Sequence, residues 1–80
     1  MKHAGPAALD DLREVITAIQ SRGLKEPSPG VFYRGGKAFL HFHEDRAGLF
    51  ADIRLGSEWE RFRVSTPDER LAFLELLDRA

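Results

Sequence analysis

The sequence contains no cysteine, so neither a disulfide framework nor a thiolate zinc site can hold the fold together. It has no apolar run near the roughly 18 residues that a membrane-spanning helix requires. Residues 1–6 also lack the apolar stretch of a secretory signal peptide. We therefore expect a cytoplasmic protein without membrane contact.

An excess of charge of one sign is missing as well. The chain has 12 Lys and Arg residues against 13 Asp and Glu residues, which gives a formal net charge of -1. Non-specific binding to nucleic acid requires many Lys and Arg side chains that neutralise phosphates, so this balance argues against nucleic acid as a partner. With 80 residues, the chain forms one domain, residues 1–80, with a single small core.

The middle of the chain, residues 31–55, predicts three antiparallel strands in a meander. Its alternating apolar residues are interrupted at residues 34–37 (Arg-Gly-Gly-Lys) and again at residues 44–47 (Glu-Asp-Arg-Ala). Gly-Gly tolerates positive φ at both central positions of a two-residue hairpin turn, and the second turn predicts a four-residue loop. The expected cross-strand pairs are Arg34 with Lys37, Tyr33 with Ala38, Phe32 with Phe39, Val31 with Leu40, Phe42 with Leu49, Leu40 with Ala51 and Ala38 with Ile53.

Helices are predicted on both sides of this meander. Residues 7–22 have apolar side chains at helical spacing, and Gly23 suits a left-handed cap. Residues 25–30 contain two prolines and predict a connector, neither helix nor central strand. Residues 59–64 predict a fourth strand, and Thr66, Pro67 and Glu69 start a final helix with a capping box. The fold class is therefore α+β in the order α-β-β-β-β-α, a four-stranded antiparallel sheet with both helices packed on one face.

Strand alternation divides the side chains of this sheet between two faces. The core face turns toward the helices and carries Val31, Tyr33, Ala38, Leu40, Phe42, Leu49, Ala51, Ile53 and Leu55. The other face, called the open face throughout, turns away from the helices. It carries Phe32, Phe39, His41, His43, Phe50, Asp52 and Arg54, and the fourth strand adds Trp59, Arg61 and Arg63.

His41 and His43 are the most suggestive pair on the open face, because side chains two apart on a strand point the same way. Asp52 is a diagonal neighbour of His41 in the expected register. A His-x-His pair beside a carboxylate suits a zinc or iron site, with Asp52, Glu44 or His3 as third ligand, and equally suits acid-base chemistry. Because two solvent-facing histidines would give the same pattern, the sequence alone assigns no catalytic residue, no metal and no cofactor.

Aromatic rings and arginines form a second group on the open face. Rings can stack a planar ligand or nucleic-acid bases while arginines hold an anion. Exposed aromatic patches more often mark protein contacts, so a dimer interface, or partial cover by the carboxy-terminal tail, is the favoured interpretation. The residues concerned are Phe32, Phe39, Phe50 and Trp59, interleaved with Arg54, Arg61 and Arg63.

The chain also resembles two protein families. Residues 35–39 (Gly-Gly-Lys-Ala-Phe), His41-x-His43, residues 51–53 (Ala-Asp-Ile) and Trp59-x-x-Phe62-x-Val64 are similar to small uncharacterised bacterial "luciferase domain" proteins. The likeness covers roughly residues 31–78 and lacks the helical insert that those proteins carry before the Trp strand; the name implies no light emission here. The leading helix, the Gly-Lys-x-Phe strand and the Glu-Asp turn more weakly resemble the MmcQ/YjbR family, which implies DNA binding.

These patterns together predict a small binding or interaction domain whose open face contacts a partner subunit, as a homodimer or with another protein, or a small anionic ligand. One alternative is a His/Asp enzyme or a metal site at His41, His43 and Asp52, with His41 as base and Arg54 or Arg61 holding an anionic substrate. A second alternative is a nucleic-acid-binding protein of the MmcQ/YjbR type. The predicted binding residues are Phe32, Phe39, His41, His43, Phe50, Asp52, Arg54, Trp59 and Arg61.

Overall fold

Six strands and three helices make up residues 2–80, which are the part of the chain that the computed structural model describes. The helices are α1 (Pro6–Asp11), α2 (Arg13–Gln20) and α3 (Pro67–Arg79). The strands are β1 (Lys2–His3), β2 (Lys25–Ser28), β3 (Val31–Arg34), β4 (Lys37–Asp45), β5 (Gly48–Leu55) and β6 (Glu58–Arg63). The predicted combination of helices with an antiparallel sheet is confirmed. None of the described helices is long and apolar enough to cross a bilayer.

The sheet is larger than the four strands expected from the sequence. β2, β3, β4, β5 and β6 follow one another as antiparallel neighbours, and β1 pairs with β4 on the same edge as β3. β2 forms despite Pro27, because an edge strand needs ladder hydrogen bonds on one side only. β1 is too short to give any periodic pattern, so the alternation of apolar residues could not predict it.

The first hairpin follows the prediction at its turn and departs from it two residues later. Both turn glycines have positive φ, 59° and 78°, and the two predicted pairs nearest the turn are confirmed. Beyond them the register shifts, so that Phe32 pairs with Leu40 and Val31 pairs with His41. Phe39 is the additional residue on β4, which makes this shift a β-bulge.

The bulge changes which aromatic rings reach the core. Phe32 is fully buried, and Phe39 is 6% exposed in the same hydrophobic cluster, with the guanidinium carbon of Arg34 4.1 Å from its ring centroid. The prediction that Phe32 and Phe39 lie on the open face is therefore wrong. Val31 and Tyr33 alternate with Phe32 along β3 and leave the predicted core face for the same reason. One extra residue reverses the faces of one strand relative to its neighbour.

A two-residue turn joins β4 and β5 where a four-residue loop was expected. The closing pair is Asp45 with Gly48, and the register is two residues away from the predicted one. Because two residues are one full period of strand alternation, the predicted faces of β5, and of β4 from Leu40 onward, are unchanged. Ala38 precedes the bulge and leaves the predicted core face together with its partner Tyr33. Asp52 consequently lies directly opposite His41, and not opposite Phe39.

The helices cover one face of the sheet and leave the other open. The helix predicted over residues 7–22 is interrupted at Leu12, whose φ of -88° and ψ of 7° separate α1 from α2. The predicted capping box of α3 is confirmed, with reciprocal hydrogen bonds between Thr66 and Glu69. A single hydrophobic cluster lies between helices and sheet: Leu12, Val15, Ile16, Ile19, Phe32, Phe39, Leu40, Phe42, Ala51, Ile53, Val64, Phe73 and Leu77.

Replacement of Phe32 tests the bulge. We expect Phe32→Ala to lower the free energy of unfolding by about 3–5 kcal/mol, because truncation of a buried aromatic side chain leaves a cavity. Val31→Ala, on the opposite face, should cost distinctly less. Urea denaturation followed by circular dichroism measures both changes, and Phe32→Leu gives a milder form of the same loss if the alanine variant does not fold. Equal effects at the two positions would contradict the bulge.

Candidate metal centre

All three histidines of the chain meet on the open face. β4 supplies His41 and His43, which point to the same side because they are two residues apart. β1 supplies His3, which pairs with His43 in the sheet. The ligand nitrogen atoms of the three rings lie within 4.8 Å of one another. Three separate positions in the sequence thus provide one convergent set of imidazoles.

The two β4 histidines contact each other directly. Nε2 of His43 lies 2.8 Å from Nδ1 of His41 and 3.2 Å from Oδ2 of Asp52. A hydrogen bond between two imidazole nitrogens requires one nitrogen without a proton. The contact therefore needs at least one of the two rings to be neutral, with its proton on the nitrogen outside the contact.

His43 has hydrogen-bonding capacity that residues 2–80 leave unused. Its Nδ1 atom is buried and has no hydrogen-bond partner of normal geometry among them. The Lys2 backbone approaches His43 closely enough to favour the protonated ring and so to raise its pKa. This contribution is the smallest of those that act on the pKa of His43. Buried polar atoms without a partner are uncommon in folded proteins, and this one belongs to the imidazole cluster.

Arg61 holds Asp52 as an anion. Nε of Arg61 donates to Oδ1 at 2.7 Å and Nη2 donates to Oδ2 at 2.8 Å, in a bidentate pair that leaves Asp52 8% exposed. Burial by itself would raise the pKa of the Asp52 carboxyl. The hydrogen bonds and charge of Arg61, with smaller contributions from His43 and His41, outweigh burial and lower this pKa. A negative carboxylate therefore lies beside the imidazoles at neutral pH.

Burial lowers the pKa of both β4 histidines. Desolvation is the largest cause for His41, and the neighbouring His43 adds to it. Desolvation is also the largest cause for His43; the charge of Asp52 opposes it, whereas His3 and Arg61 act in the same direction. Both rings are neutral at pH 7 as a result. Neutral imidazole is the form that donates a nitrogen lone pair to a metal ion.

Trp59 and Arg54 flank the imidazole cluster on the β6 side. The centroid of the Trp59 ring lies 4.7 Å from that of His41, and the guanidinium carbon of Arg54 lies 4.7 Å from the Trp59 ring centroid. Nε of Arg54 donates to the Ala38 carbonyl oxygen at 3.2 Å, which fixes the stem of the side chain. Trp59 is 39% exposed. The cluster therefore borders an aromatic surface that solvent can reach.

The structure places most of the predicted binding residues together. Phe50 lies opposite His43 and is half-buried, whereas Phe32 and Phe39 lie in the core. Arg63 turns to the β4–β5 turn and to Glu69. The residues that share the open face around the imidazoles are His41, His43, Asp52, Arg54, Trp59 and Arg61.

His3 is the third imidazole, and Glu44 is not part of the cluster. Glu44 alternates with His43 along β4 and accepts a hydrogen bond from the backbone N–H of Gly5. His3 entered the sequence analysis only as one of three candidate third ligands, because a two-residue strand has no pattern of its own. The composition of the chain carried the signal for this site. The chain has three histidines and no cysteine, and the structure brings all three histidines together on the open face.

Comparison with protein-family models, curated proteins and solved structures finds no match to this chain. The resemblances to "luciferase domain" proteins and to the MmcQ/YjbR family therefore stay predictions.

The lowered histidine pKa values predict that the protein loses stability in acid. In the unfolded chain both β4 histidines take up protons near their ordinary pKa of 6.5, whereas in the folded protein they do so only at lower pH. The unfolded state therefore binds more protons as the pH falls through about 6.5, and the free energy of unfolding decreases. We expect the melting temperature to fall between about pH 6.5 and pH 5 and to depend little on these rings above about pH 7.5.

The matched control is the double variant His41→Asn, His43→Asn, which removes both titrating rings and keeps polar side chains. Its melting temperature should fall less than that of the wild type over the same pH interval. Asp52, whose pKa is lowered, adds a separate loss only below its ordinary pKa of 3.8. Identical pH profiles for wild type and double variant above about pH 5 would contradict the lowered histidine pKa values.

Proposed function

We propose that this chain is a small metal-binding domain in which His3, His41 and His43 hold a divalent transition-metal ion of the zinc class on the open face. The observation that carries this proposal is the convergence of all three histidines, with ligand nitrogens within 4.8 Å of one another. Imidazole is a ligand suited to zinc, copper, nickel and iron. Three imidazoles are also a known donor set for zinc.

The spacing of the nitrogens supports this assignment. Tetrahedral zinc with metal–nitrogen bonds of about 2.0–2.1 Å holds its nitrogens about 3.3 Å apart. His41 Nδ1 and His43 Nε2 are 2.8 Å apart, and the remaining separations are at most 4.8 Å. These separations lie on both sides of the spacing that a tetrahedral ion requires.

The charge around the cluster supports the same proposal. Neutral imidazoles supply no negative charge to balance a divalent cation, so a nearby anion is needed. Asp52 provides one, since Oδ2 lies 3.2 Å from Nε2 of His43. Because this Nε2 is the atom that would bind the ion, a bound ion would replace the contact of His43 with Asp52 by its own attraction to the nearby carboxylate. The bidentate pair with Arg61 keeps this carboxylate in a fixed position.

Other functions for the open face have less support. Arg61 is paired with Asp52 and Arg63 with Glu69, so among residues 2–80 only Arg54 of these three arginines keeps terminal nitrogens free for an anion. Two clefts of about 650 and 670 Å³ lie elsewhere, one beside β2 and the first hairpin and one between the helices, and neither is lined by a histidine. An acid-base enzyme needs its histidine in a pocket that holds substrate.

Contact with a protein partner is a second candidate function for the same face, as expected from the sequence. The observation in its favour is the exposed ring of Trp59 on the edge strand β6. Light scattering distinguishes a monomer from a homodimer, and a Trp59→Ser variant should dissociate a dimer formed through this face. A dimer that persists in this variant would contradict the candidate.

Zinc titration of untagged, chelator-treated protein tests the metal site. We expect zinc to raise the free energy of unfolding, by about 2.7 kcal/mol when free zinc is 100 times the dissociation constant. This corresponds to a rise of about 10–20 °C in melting temperature for a domain of this size. His3→Asn, His41→Asn and His43→Asn should each weaken the response, as each removes one ligand.

Glu44→Gln is the control for these variants. Glu44 is a candidate ligand by sequence but lies outside the cluster, and glutamine keeps an oxygen that can accept the Gly5 N–H. This variant should bind zinc as the wild type does. The absence of a zinc response in the wild type, or an unchanged response in all three histidine variants, would overturn the proposal.

A further inference from the structure

The surroundings of the imidazole cluster indicate what the metal would bind in turn, an inference that rests on the proposed metal site. Three imidazoles leave one position of a tetrahedral ion open. Asp52 is poorly placed to fill it, because both of its oxygens already accept hydrogen bonds from Arg61. Movement of the carboxylate onto the ion would break this bidentate pair. The open position is therefore available to an external ligand.

Charge favours an anion in that position. Asp52 and Arg61 neutralise each other, and an imidazole binds a metal ion in its neutral form. A bound divalent ion would thus add two positive charges beside Arg54, because the other carboxylate on this side of β4, Asp45, is exposed at the turn and lies near Arg61. A neutral ligand leaves this excess in place, whereas an anionic ligand reduces it. Carboxylate oxygens are accepted zinc ligands.

Arg54 provides a second point of attachment. Its Nε atom is used by the Ala38 carbonyl, but its two terminal nitrogens have no hydrogen-bond partner among residues 2–80. A guanidinium offers its N–H groups as a planar fork that matches a carboxylate. The stem is anchored and the fork lies over Trp59, so the donors are held in place on the same side of the sheet as the imidazoles.

Trp59 lies next to both His41, at the proposed metal position, and Arg54. Its ring centroid is 4.7 Å from the His41 ring centroid and 4.7 Å from the guanidinium carbon of Arg54, which places the two groups less than 9.4 Å apart. The exposed part of the indole ring offers an apolar surface between them. A flexible dicarboxylate of four carbons in all bridges such a distance, because the metal–oxygen bond at one end and the guanidinium hydrogen bonds at the other add to its length.

We propose that the metal-loaded site binds a small dicarboxylate, with one carboxylate on the open metal position, the carbon chain against Trp59 and the second carboxylate on Arg54. The two ends contribute through different groups of the protein. A monocarboxylate such as acetate occupies the metal position only. The proposal therefore requires a dicarboxylate to bind more tightly than a monocarboxylate, and requires Arg54 for the difference.

Cobalt(II) in place of zinc makes both steps visible, because the visible absorption of cobalt(II) depends on its ligands. The first step is addition of cobalt to chelator-treated, untagged protein, which should produce the absorption of a tetrahedral ion. The second step is titration with succinate and, separately, with acetate. We expect both to shift the absorption, and succinate to do so with a dissociation constant at least tenfold lower.

Arg54→Gln should retain the cobalt spectrum and lose the tenfold preference for succinate. Arg46→Gln, in the exposed β4–β5 turn, is the control and should keep the preference. If Arg54→Gln does not fold, Arg54→Lys keeps a charge without the planar fork and should reduce the preference. The wild-type comparison of succinate with acetate tests the proposal without any variant.

The cobalt and succinate measurements separate failure of the metal site from failure of the dicarboxylate site. Absence of the cobalt spectrum overturns the metal site and the dicarboxylate site with it. A cobalt spectrum that does not respond to succinate, or responds equally to succinate and acetate, overturns the dicarboxylate site and leaves the metal site standing. A preference that survives in Arg54→Gln overturns the role of Arg54 and with it the proposed binding mode.

Discussion

Alternation along β4 is the constraint on which the rest of the structure depends. Leu40 and Phe42 are buried against the helices, with exposed fractions of 0% and 2%. Because successive side chains of a strand point to opposite faces, their burial forces His41 and His43 to the other side. A shift of one residue would bury two imidazoles and expose two large apolar side chains. The direction of the histidines is thus determined by the same free energy that determines the fold.

The pair of Asp52 and Arg61 adjusts the electrostatics of that face. A lone carboxylate beside His43 would raise the pKa of the ring and favour a protonated imidazole, which cannot bind a metal. Arg61 acts against this, since its charge lowers the pKa of both β4 histidines. The Asp52 carboxylate therefore places a negative charge close to the rings, while the ion pair of Asp52 and Arg61 as a whole carries no net charge. The result is a set of neutral donors beside a fixed anion.

The sequence predicted the parts of this arrangement that depend on local pattern. The Gly-Gly turn, the capping box of α3 and the same-side placement of His41 and His43 all follow from residue type and spacing over a few positions. The β4–β5 register was wrong by two residues, yet Asp52 still reached the open face, because the error was one full period of alternation. Parity along a strand is better determined by sequence than register between strands.

The parts that failed depend on contacts between distant residues. The bulge at Phe39 lets Phe32 pack against the helices, and that burial is known only once the helices are in place. The same limit applies to β1, since Lys2 and His3 become a strand through pairing with Glu44 and His43. Neither the bulge at Phe39 nor the two-residue strand β1 produces an alternation of apolar residues that could be detected along the sequence.

The weakest element of the sheet thus supplies one of the three imidazoles. His41 and His43 are held by the long, central strand β4, whereas His3 belongs to a strand of two exposed residues. The main-chain hydrogen bond from Ala4 to Phe42 and the contact of Gly5 with Glu44 secure the segment just after it. An ion bound by all three rings would add a direct link from β1 to β4, so the free energy of metal binding and of β1 pairing would be coupled. The affinity of the site would then reflect both the rigid geometry of β4 and the cost of ordering β1 beside it.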